Sequence, residues 1–306
     1  MKSNARIVVT QLMQFSSEHK QRLDKLGDVT YYDDLAASPD DWLQRCKDAD
    51  VICTGKYGFK EKWSQLHDVF VSLPFVGVGF LDPAVLKANN MTVSNSPGCN
   101  RYAVSEWVVG MVITTFRRLH ELTNVDALPT NQPPQPTQGL AFKNATILGK
   151  GNVGTRVGEV LAALNMNVTY FKRGDDLATC VKDADVVIDT LSLNPSTVGL
   201  LGKEFFMSFK RGAAFVTVTS SKIVDVEAML SALDDGQLGY VANDAGGIMM
   251  GNTDDPLYRK LLAHPKVLVT PHISYNTDVT HKISNDMMID NVKAYLAGEP
   301  VNVLKG

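Results

Sequence analysis

Residues 145–173, ATILGKGNVGTRVGEVLAALNMNVTYFKR, read as one strand, a glycine turn, a helix and a second strand, and the rest of the chain is arranged around them. Ala145 to Leu148 is a short apolar run, and Gly149, Gly151 and Gly154 supply G-x-G-x-x-G where a helix must begin. Each glycine has its own reason in such a unit. The first permits a tight turn, the second lets a pyrophosphate approach the backbone, and the third lets the helix pack closely on the strand. The helix start then offers free N–H groups to the anion. Val157, Val160, Leu161 and Leu164 recur at helical spacing, and Val168 to Phe171 is expected to form the next buried strand. The stretch therefore predicts dinucleotide binding through Gly149, Lys150, Gly151, Asn152, Val153 and Gly154.

The end of the second strand speaks to which dinucleotide. An acidic residue there would hold a ribose 2′-hydroxyl, whereas this chain has Lys172 and Arg173 followed by Gly174. Two cations suit a 2′-phosphate, so NADP is expected, with NAD as the other option. Asp175 and Asp176 follow at once, and neutralisation of the pair by them is the competing reading.

The chain has 306 residues, 44% hydrophobic and 21% charged, which suits a soluble protein of two domains. A formal charge of −3 gives no whole-chain reason to expect nucleic acid as a partner. The start, MKSNARIVVTQL, enters a strand pattern without the apolar run of a signal peptide, and no run of 18 apolar residues exists to cross a membrane. A cytoplasmic protein is expected. Cys46, Cys53, Cys99 and Cys180 form no C-x-x-C pair and the six histidines form no close ligand pair, so neither a metal site nor a disulfide framework is expected.

From Ile7 to about Asn95 short apolar strands, IVVTQL, VTYY, VICTG, FVGVG and MTVSN, alternate with helical stretches, which suggests a parallel sheet with covering helices. TGKYGF, residues 54–59, follows one strand and belongs at the sheet's carboxyl edge, making Lys56 and Tyr57 candidate substrate contacts; an ordinary solvated loop is the alternative. The turn SPGCN, residues 96–100, introduces a helix expected over 102–124. Its apolar stripe of Val108, Met111, Val112, Thr115, Leu119 and Leu122, with Trp107 and Phe116 beside it, suits either a second subunit or the core of this chain. DALPTNQPPQPTQ, residues 126–138, reads as an extended connector. Beyond Arg173 the strands VVIDTLSL, AAFVTV, YVANDA and VLVTPHIS continue a second sheet. A last helix, about 277–297, carries Val279, Ile283, Ile289, Val292 and Leu296 on an apolar face and is expected to return to the first domain. The fold class is therefore α/β, with two doubly wound, Rossmann-like domains. The nucleotide domain, 97–276, is inserted into a discontinuous substrate domain, 1–96 and 277–306.

Across nearly its full length the chain resembles the D-2-hydroxyacid dehydrogenase family. FVGVG is similar to the family's substrate-loop glycines, which implies Val78 and Gly79 as substrate contacts, and AVSEWVVGMVI is similar to a helix that packs across a dimer in that family. TILGKGNVG resembles its cofactor fingerprint. DVVIDTLSLNPSTVGLLGKEFF resembles the strand and loop around the nicotinamide, implying Leu191 and Ser192, and KRGAAFVTVTSSKIVDVEAML resembles the block that implies Thr219. VLVTPHIS matches the block carrying the catalytic histidine, His272, also implied at the cofactor. The SPGCN turn is closer to the erythronate-4-phosphate and formate dehydrogenase branches, where the residue matching Asn100 lies near the substrate. Asp244 matches the family's strand-end Asp at the cofactor.

The resemblance implies hydride transfer between a nicotinamide and a substrate 2-carbon, an Arg on the substrate carboxylate, and a His–Glu pair exchanging the proton. Two catalytic positions depart from that set: Ser220 stands where the Arg belongs, and the Glu position falls on Met249; Ser221 in addition stands where a Gly follows the Arg. A serine hydroxyl replaces neither the charge nor the fork of an arginine, and without a carboxylate the imidazolium of His272 loses a stabilising partner. Two functions are consistent with these residues. One is a homodimeric NADP-dependent oxidoreductase of an atypical carbonyl, hydroxyl or imine substrate, with Lys56, Asn100 and Ser220 facing it. The other is a catalytically inactive dinucleotide-binding sensor or interaction protein.

Overall fold

The computed structural model describes residues 5–122 and 136–304. The chain divides into two compact α/β units, Met1–Asn100 with Thr277–Gly306, and Arg101–Asn276. The first unit runs four residues further than the expected boundary because the SPGCN turn is tied to its sheet: the Ser96 hydroxyl donates to the Leu73 carbonyl at 2.8 Å, and the Ser96 N–H to that of Phe75 at 3.2 Å.

In the first unit β1 (Arg6–Val9), β2 (Asp28–Tyr31), β3 (Val51–Cys53), β4 (Phe70–Ser72) and β5 (Thr92–Ser94) form one parallel sheet in the order β2-β1-β3-β4-β5, with α1 (Ser17–Asp24), α2 (Pro39–Arg45), α3 (Phe59–Lys62) and α4 (Pro83–Ala88) between strands. The central strands β3 and β4 are buried along their whole length, as parallel strands covered on both faces must be. FVGVG is not a strand. The ladder ends where the Leu73 N–H reaches the Ser94 carbonyl at 2.9 Å; Pro74 has no N–H to continue it, and residues 75–79 leave the sheet as a loop.

The second unit opens with α5 (Arg101–Phe116), a short α6 (Leu119–Leu122) and then β6 (Asn144–Leu148), α7 (Asn152–Ala163), β7 (Asn167–Phe171), α8 (Leu177–Val181), β8 (Val186–Asp189), α9 (Lys203–Met207), β9 (Ala213–Thr217), α10 (Val226–Asp234), β10 (Leu238–Asp244), α11 (Pro256–Leu262) and β11 (Val267–Thr270). Its six parallel strands run β11-β10-β9-β8-β6-β7, so the order reverses at β6. The register aligns Leu148 with Asp189, Asp189 with Thr217, and Asp244 with Thr270, which brings the carboxyl ends of these strands to a common edge. β7, expected to be buried, is the sheet's edge strand and carries only exposed and half-buried residues.

The helix expected over 102–124 ends at Phe116, because Arg118 turns into the left-handed region at φ 50° before α6 begins. Residues 123 and 124, and 126–135 of the expected connector, lie outside the described residues. The apolar stripe of α5 meets the sheet of its own chain. Val108, Val112, Thr115 and Phe116 are buried, and the three apolar ones share a core with Ala145, Ile147, Val157, Leu161, Val186 and Val216. Leu119, by contrast, is 42% exposed.

The last helix, α12 (Asp278–Leu296), belongs to the first unit and starts under a Thr277 cap. Met288, Ile289 and Val292 are buried with Ile7, Leu23 and Phe70, but Val279 is 46% exposed. Polar residues fill the rest of the buried face. The side-chain amide of Asn291 donates to the Asn95 carbonyl and that of Asn285 to the Met13 carbonyl, each at 2.9 Å. Among the described residues no helix is long and apolar enough to cross a membrane, and no cluster of His, Cys, Asp or Glu is placed to hold a metal ion.

Because the α5 stripe is buried inside one chain, Phe116→Ala should lower the unfolding free energy by about 3–5 kcal/mol. Urea denaturation should return the same loss at every protein concentration, since no subunit contact is being removed.

Candidate active site

The glycine turn joins β6 to α7 under three different constraints. Gly149 adopts φ 100°, the left-handed side that favours glycine. A Cβ on Gly154 would lie 1.9 Å from the Gly149 carbonyl oxygen, so only a bare backbone fits. At Gly151 the space is open, with no heavy atom within 4 Å of an added Cβ. Thr190 stitches the turn to β8, its hydroxyl lying 3.0 Å from the Leu148 and Gly149 carbonyl oxygens. Gly151 caps α7 without any side-chain hydrogen bond, so the first N–H groups of this helix face open space. Lys150 and Asn152 are exposed there, while Val153 packs its side chain on the core and offers only its backbone.

Lys172 and Arg173 are exposed at the end of β7. The two acids that follow them are occupied by main chain. Asp175 accepts from the Lys172 N–H at 2.9 Å, and Asp176 caps α8 by accepting from the Thr179 N–H at 2.9 Å. Neither cation has an ion-pair partner among the described residues.

At the next strand end lies a residue that sequence reading did not single out. Asp189 is fully buried and accepts from the Leu191 N–H at 3.1 Å and the hydroxyls of Thr217 at 3.0 Å and Thr219 at 2.5 Å. Burial pushes its carboxyl up from 3.8 to about 6, against the opposing pull of these three donors. Having given its one proton to Asp189, the Thr219 hydroxyl can only accept from anything else. Leu191 packs half-buried on the core, and Ser192 is exposed, its carbonyl accepting from Thr197 at 2.8 Å. The available signal was an acid closing the otherwise apolar run VVID.

Ser220 and His272 both join the 245–251 loop. Ser220 forms a parallel bridge to Gly246, and its hydroxyl accepts from the Lys222 N–H at 3.2 Å. His272 sits at φ 55°, and its ring Nδ1 is 2.9 Å from the Ile248 carbonyl. A carbonyl only accepts, so Nδ1 carries hydrogen and Nε2 is the nitrogen left for other partners. Met249 points away, 78% exposed. Asp244 holds the histidine's turn: its carboxylate accepts from the Thr270 hydroxyl at 2.6 Å and from the N–H groups of Ile273 at 2.8 Å and Ser274 at 2.9 Å. Tyr275 lies edge-on to the His272 ring with centroids 5.5 Å apart.

In the first unit, Lys56 and Tyr57 follow β3 at the carboxyl edge, as expected. The Lys56 ammonium lies 5.3 Å from the centre of the Phe75 ring, and desolvation together with Lys60 lowers its pKa from the ordinary lysine value. Lys56 thus neighbours the start of the 75–79 loop. Val78 turns instead into the core beside Leu81 and Leu86, and Gly79 lines a groove with Pro83, Lys87 and Val303. Val76 and Gly77 are the exposed members of that loop nearer to Phe75, and strand periodicity had concealed them. Asn100 is half-buried beyond Gly98, which adopts φ 76°.

Comparison with known proteins agrees with this architecture. Residues 109–274 match the family described as D-isomer specific 2-hydroxyacid dehydrogenase, NAD binding domain. The chain is 27% identical over 285 residues to a glycerate dehydrogenase of Methylorubrum extorquens, covering 88% of this chain and 89% of the relative. It is 23% identical to a hydroxypyruvate reductase of Blautia hydrogenotrophica, over 92% and 93% of the two chains. Among solved structures, an acyclic imino acid reductase in complex with NADPH and D-Arg superposes with a TM-score of 0.85 at 20% identity, covering 98% of this chain and 100% of that one. The chain belongs to the D-isomer specific 2-hydroxyacid dehydrogenase family, and so to the oxidoreductases that use a nicotinamide cofactor. Its residues fit such a cofactor: the space above Gly151 is open where Gly149 and Gly154 are crowded, and the α7 N–H groups there have no side-chain cap.

Asp189 should contribute to the pH dependence of stability. Its folded pKa is raised, so the folded state holds the proton more tightly than the unfolded chain. The resulting stabilisation is complete below about pH 4 and is lost as pH rises through about 6. A shift of about two units is worth up to ~3 kcal/mol. Urea midpoints from pH 4 to 7 should show this downward contribution in the unmodified protein relative to Asp189→Asn, and equal slopes in the two would refute it.

Proposed function

We propose that the protein is an NADP(H)-dependent oxidoreductase acting on a small carbonyl, hydroxyl or imine substrate, with His272 as the proton donor. The observation that carries this reading is the His272 ring, fixed through Nδ1–H to the Ile248 carbonyl so that Nε2 is the exchanging nitrogen. Gly149, Gly151, Asn152 and the backbone of Lys150, Val153 and Gly154 hold the pyrophosphate end, and Leu191, Ser192 and Thr219 hold the nicotinamide end. Lys172 and Arg173 take the 2′-phosphate. Their support is that Asp175 and Asp176 spend their carboxylates on main-chain N–H groups. Asp244 acts through the His272 turn, where its three donors lie.

The bound nicotinamide supplies or accepts the hydride. The chain's own part is to hold the substrate and move the proton. With Nδ1–H engaged by Ile248, His272 gives a proton from Nε2 only as the imidazolium, and a neutral carbonyl supports that cation less than a carboxylate would. Lys56, Tyr57, Asn100, Ser220 and the main chain of Val78 and Gly79 are the proposed substrate contacts. Of these Ser220 can donate one hydrogen bond but brings no charge. Two charge-assisted bonds of about 1.5–3 kcal/mol each are therefore missing, and a carboxylate-bearing 2-oxo acid is disfavoured. A homodimer and a cytoplasmic location complete the proposal. The dimer is supported by the resemblance of AVSEWVVGMVI to the helix that packs across a dimer in the family.

A steady-state screen with excess NADPH should find pyruvate, glyoxylate and hydroxypyruvate turned over on the order of a hundredfold more slowly than by a family member with the Arg, while uncharged ketones and cyclic imines escape that penalty. His272→Ala should lower turnover of any accepted substrate by about 10²–10⁴-fold. Rapid reduction of a small 2-oxo acid would overturn the role given to Ser220, and tight NADPH binding with no turnover of any substrate would favour the non-catalytic reading. Light scattering should give twice the chain mass; a monomer mass would remove the dimer.

A further inference from the structure

Lys150 stands between the first two glycines of the turn, exposed and with no carboxylate partner among the described residues. Its ammonium lies 4.9 Å from the centre of the Tyr170 ring. Tyr170 is on β7, and the register pairs Leu148 with Phe171, so the turn carrying Lys150 and the segment Lys172–Arg173 leave neighbouring strand ends side by side. The ring is held in place by an absence: a Cβ on Gly158 of α7 would sit 1.9 Å from the Tyr170 hydroxyl oxygen. The other cations around the cleft at the start of α7 are engaged. Arg156 pairs with Glu159 at 3.0 Å and Arg101 donates to the Tyr102 hydroxyl at 2.6 Å.

We propose that Lys150, seated on Tyr170, is a specificity-determining residue that completes with Lys172 and Arg173 a three-cation subsite for the cofactor's 2′-phosphate. The inference rests on the NADP(H) reading above. A lysine on a four-carbon stem ordinarily spends much of its binding energy on ordering; here the aromatic face restrains the ammonium beforehand while leaving it open to solvent and ligand. Tyr170 is thus a positioning residue, and the glycine at 158 is what lets its ring lie there. A phosphate dianion has the charge and the oxygens to engage more than two cations, which a 2′-hydroxyl does not.

The test is fluorescence titration of the full-length protein with NADPH and with NADH. Lys150→Met should weaken NADPH by about tenfold and NADH by less than about twofold. Tyr170→Leu should weaken NADPH by about threefold with NADH unchanged, and Tyr170→Phe, which keeps the ring, should behave as the unmodified protein. Equal weakening of both cofactors by Lys150→Met, or no weakening of either, overturns the proposal. So does a Tyr170→Phe that loses NADPH as Tyr170→Leu does. If the unmodified protein binds NADH as tightly as NADPH, the cofactor reading itself fails. If joint replacement of Lys172 and Arg173 by Ala abolishes the preference while Lys150→Met preserves it, only the role of Lys150 is refuted.

Discussion

The approach of Gly154 to the Gly149 carbonyl governs how the second unit can be built. With room for no Cβ between them, α7 starts directly against the end of β6, and its N–H groups open onto the sheet's carboxyl edge. Thr190 binds the same carbonyl from β8, so the neighbouring strand end is located by the same turn. From there the parallel register carries the alignment through Asp189 and Thr217 to Asn243, and on to Asp244 and Thr270. The residues proposed to meet the cofactor are therefore displayed by strand ends rather than by long excursions of loop, which limits how far they can wander.

A second group of constraints shapes the histidine's surroundings. Three donors converge on Asp244 and draw residues 270–274 into a turn that includes a non-glycine residue in the left-handed region, His272 itself. Such a conformation costs free energy and persists only where neighbouring bonds over-determine it. The 245–251 loop is held from its other side by Ser220 and Ser221, whose N–H donates to the Gly246 carbonyl at 3.0 Å. Ser220 and Met249, the two positions singled out by the resemblance, thus both fall on one arrangement of loops.

Much of this was legible in the sequence. Parallel strands covered on both faces must be continuous apolar runs, and VIC, VVID and AAFVT announced themselves that way. The glycine turn was legible because each glycine answers a separate steric demand. FVGVG was misread because its composition suits a strand and Pro74, one residue upstream, ends the ladder. The end of α5 was hidden because Leu119 and Leu122 keep the helical period past the left-handed Arg118. Asp189 was missed since an acid at the end of a buried strand looks like a boundary marker until its hydroxyl partners from β9 are known. The engagement of Asp244 with the 270–274 turn depends on contacts some thirty residues apart, which spacing alone does not reveal.

The hydrogen bond from His272 to Ile248 is made to main chain, not to a side chain. Every amino acid at position 248 would present a carbonyl, so no single substitution there deletes the acceptor, and the residue at 249 is released from any duty toward the ring. With the ring held by the polypeptide backbone, the side chains around it can vary, and with them the shape of its surroundings, without disturbing the tautomer.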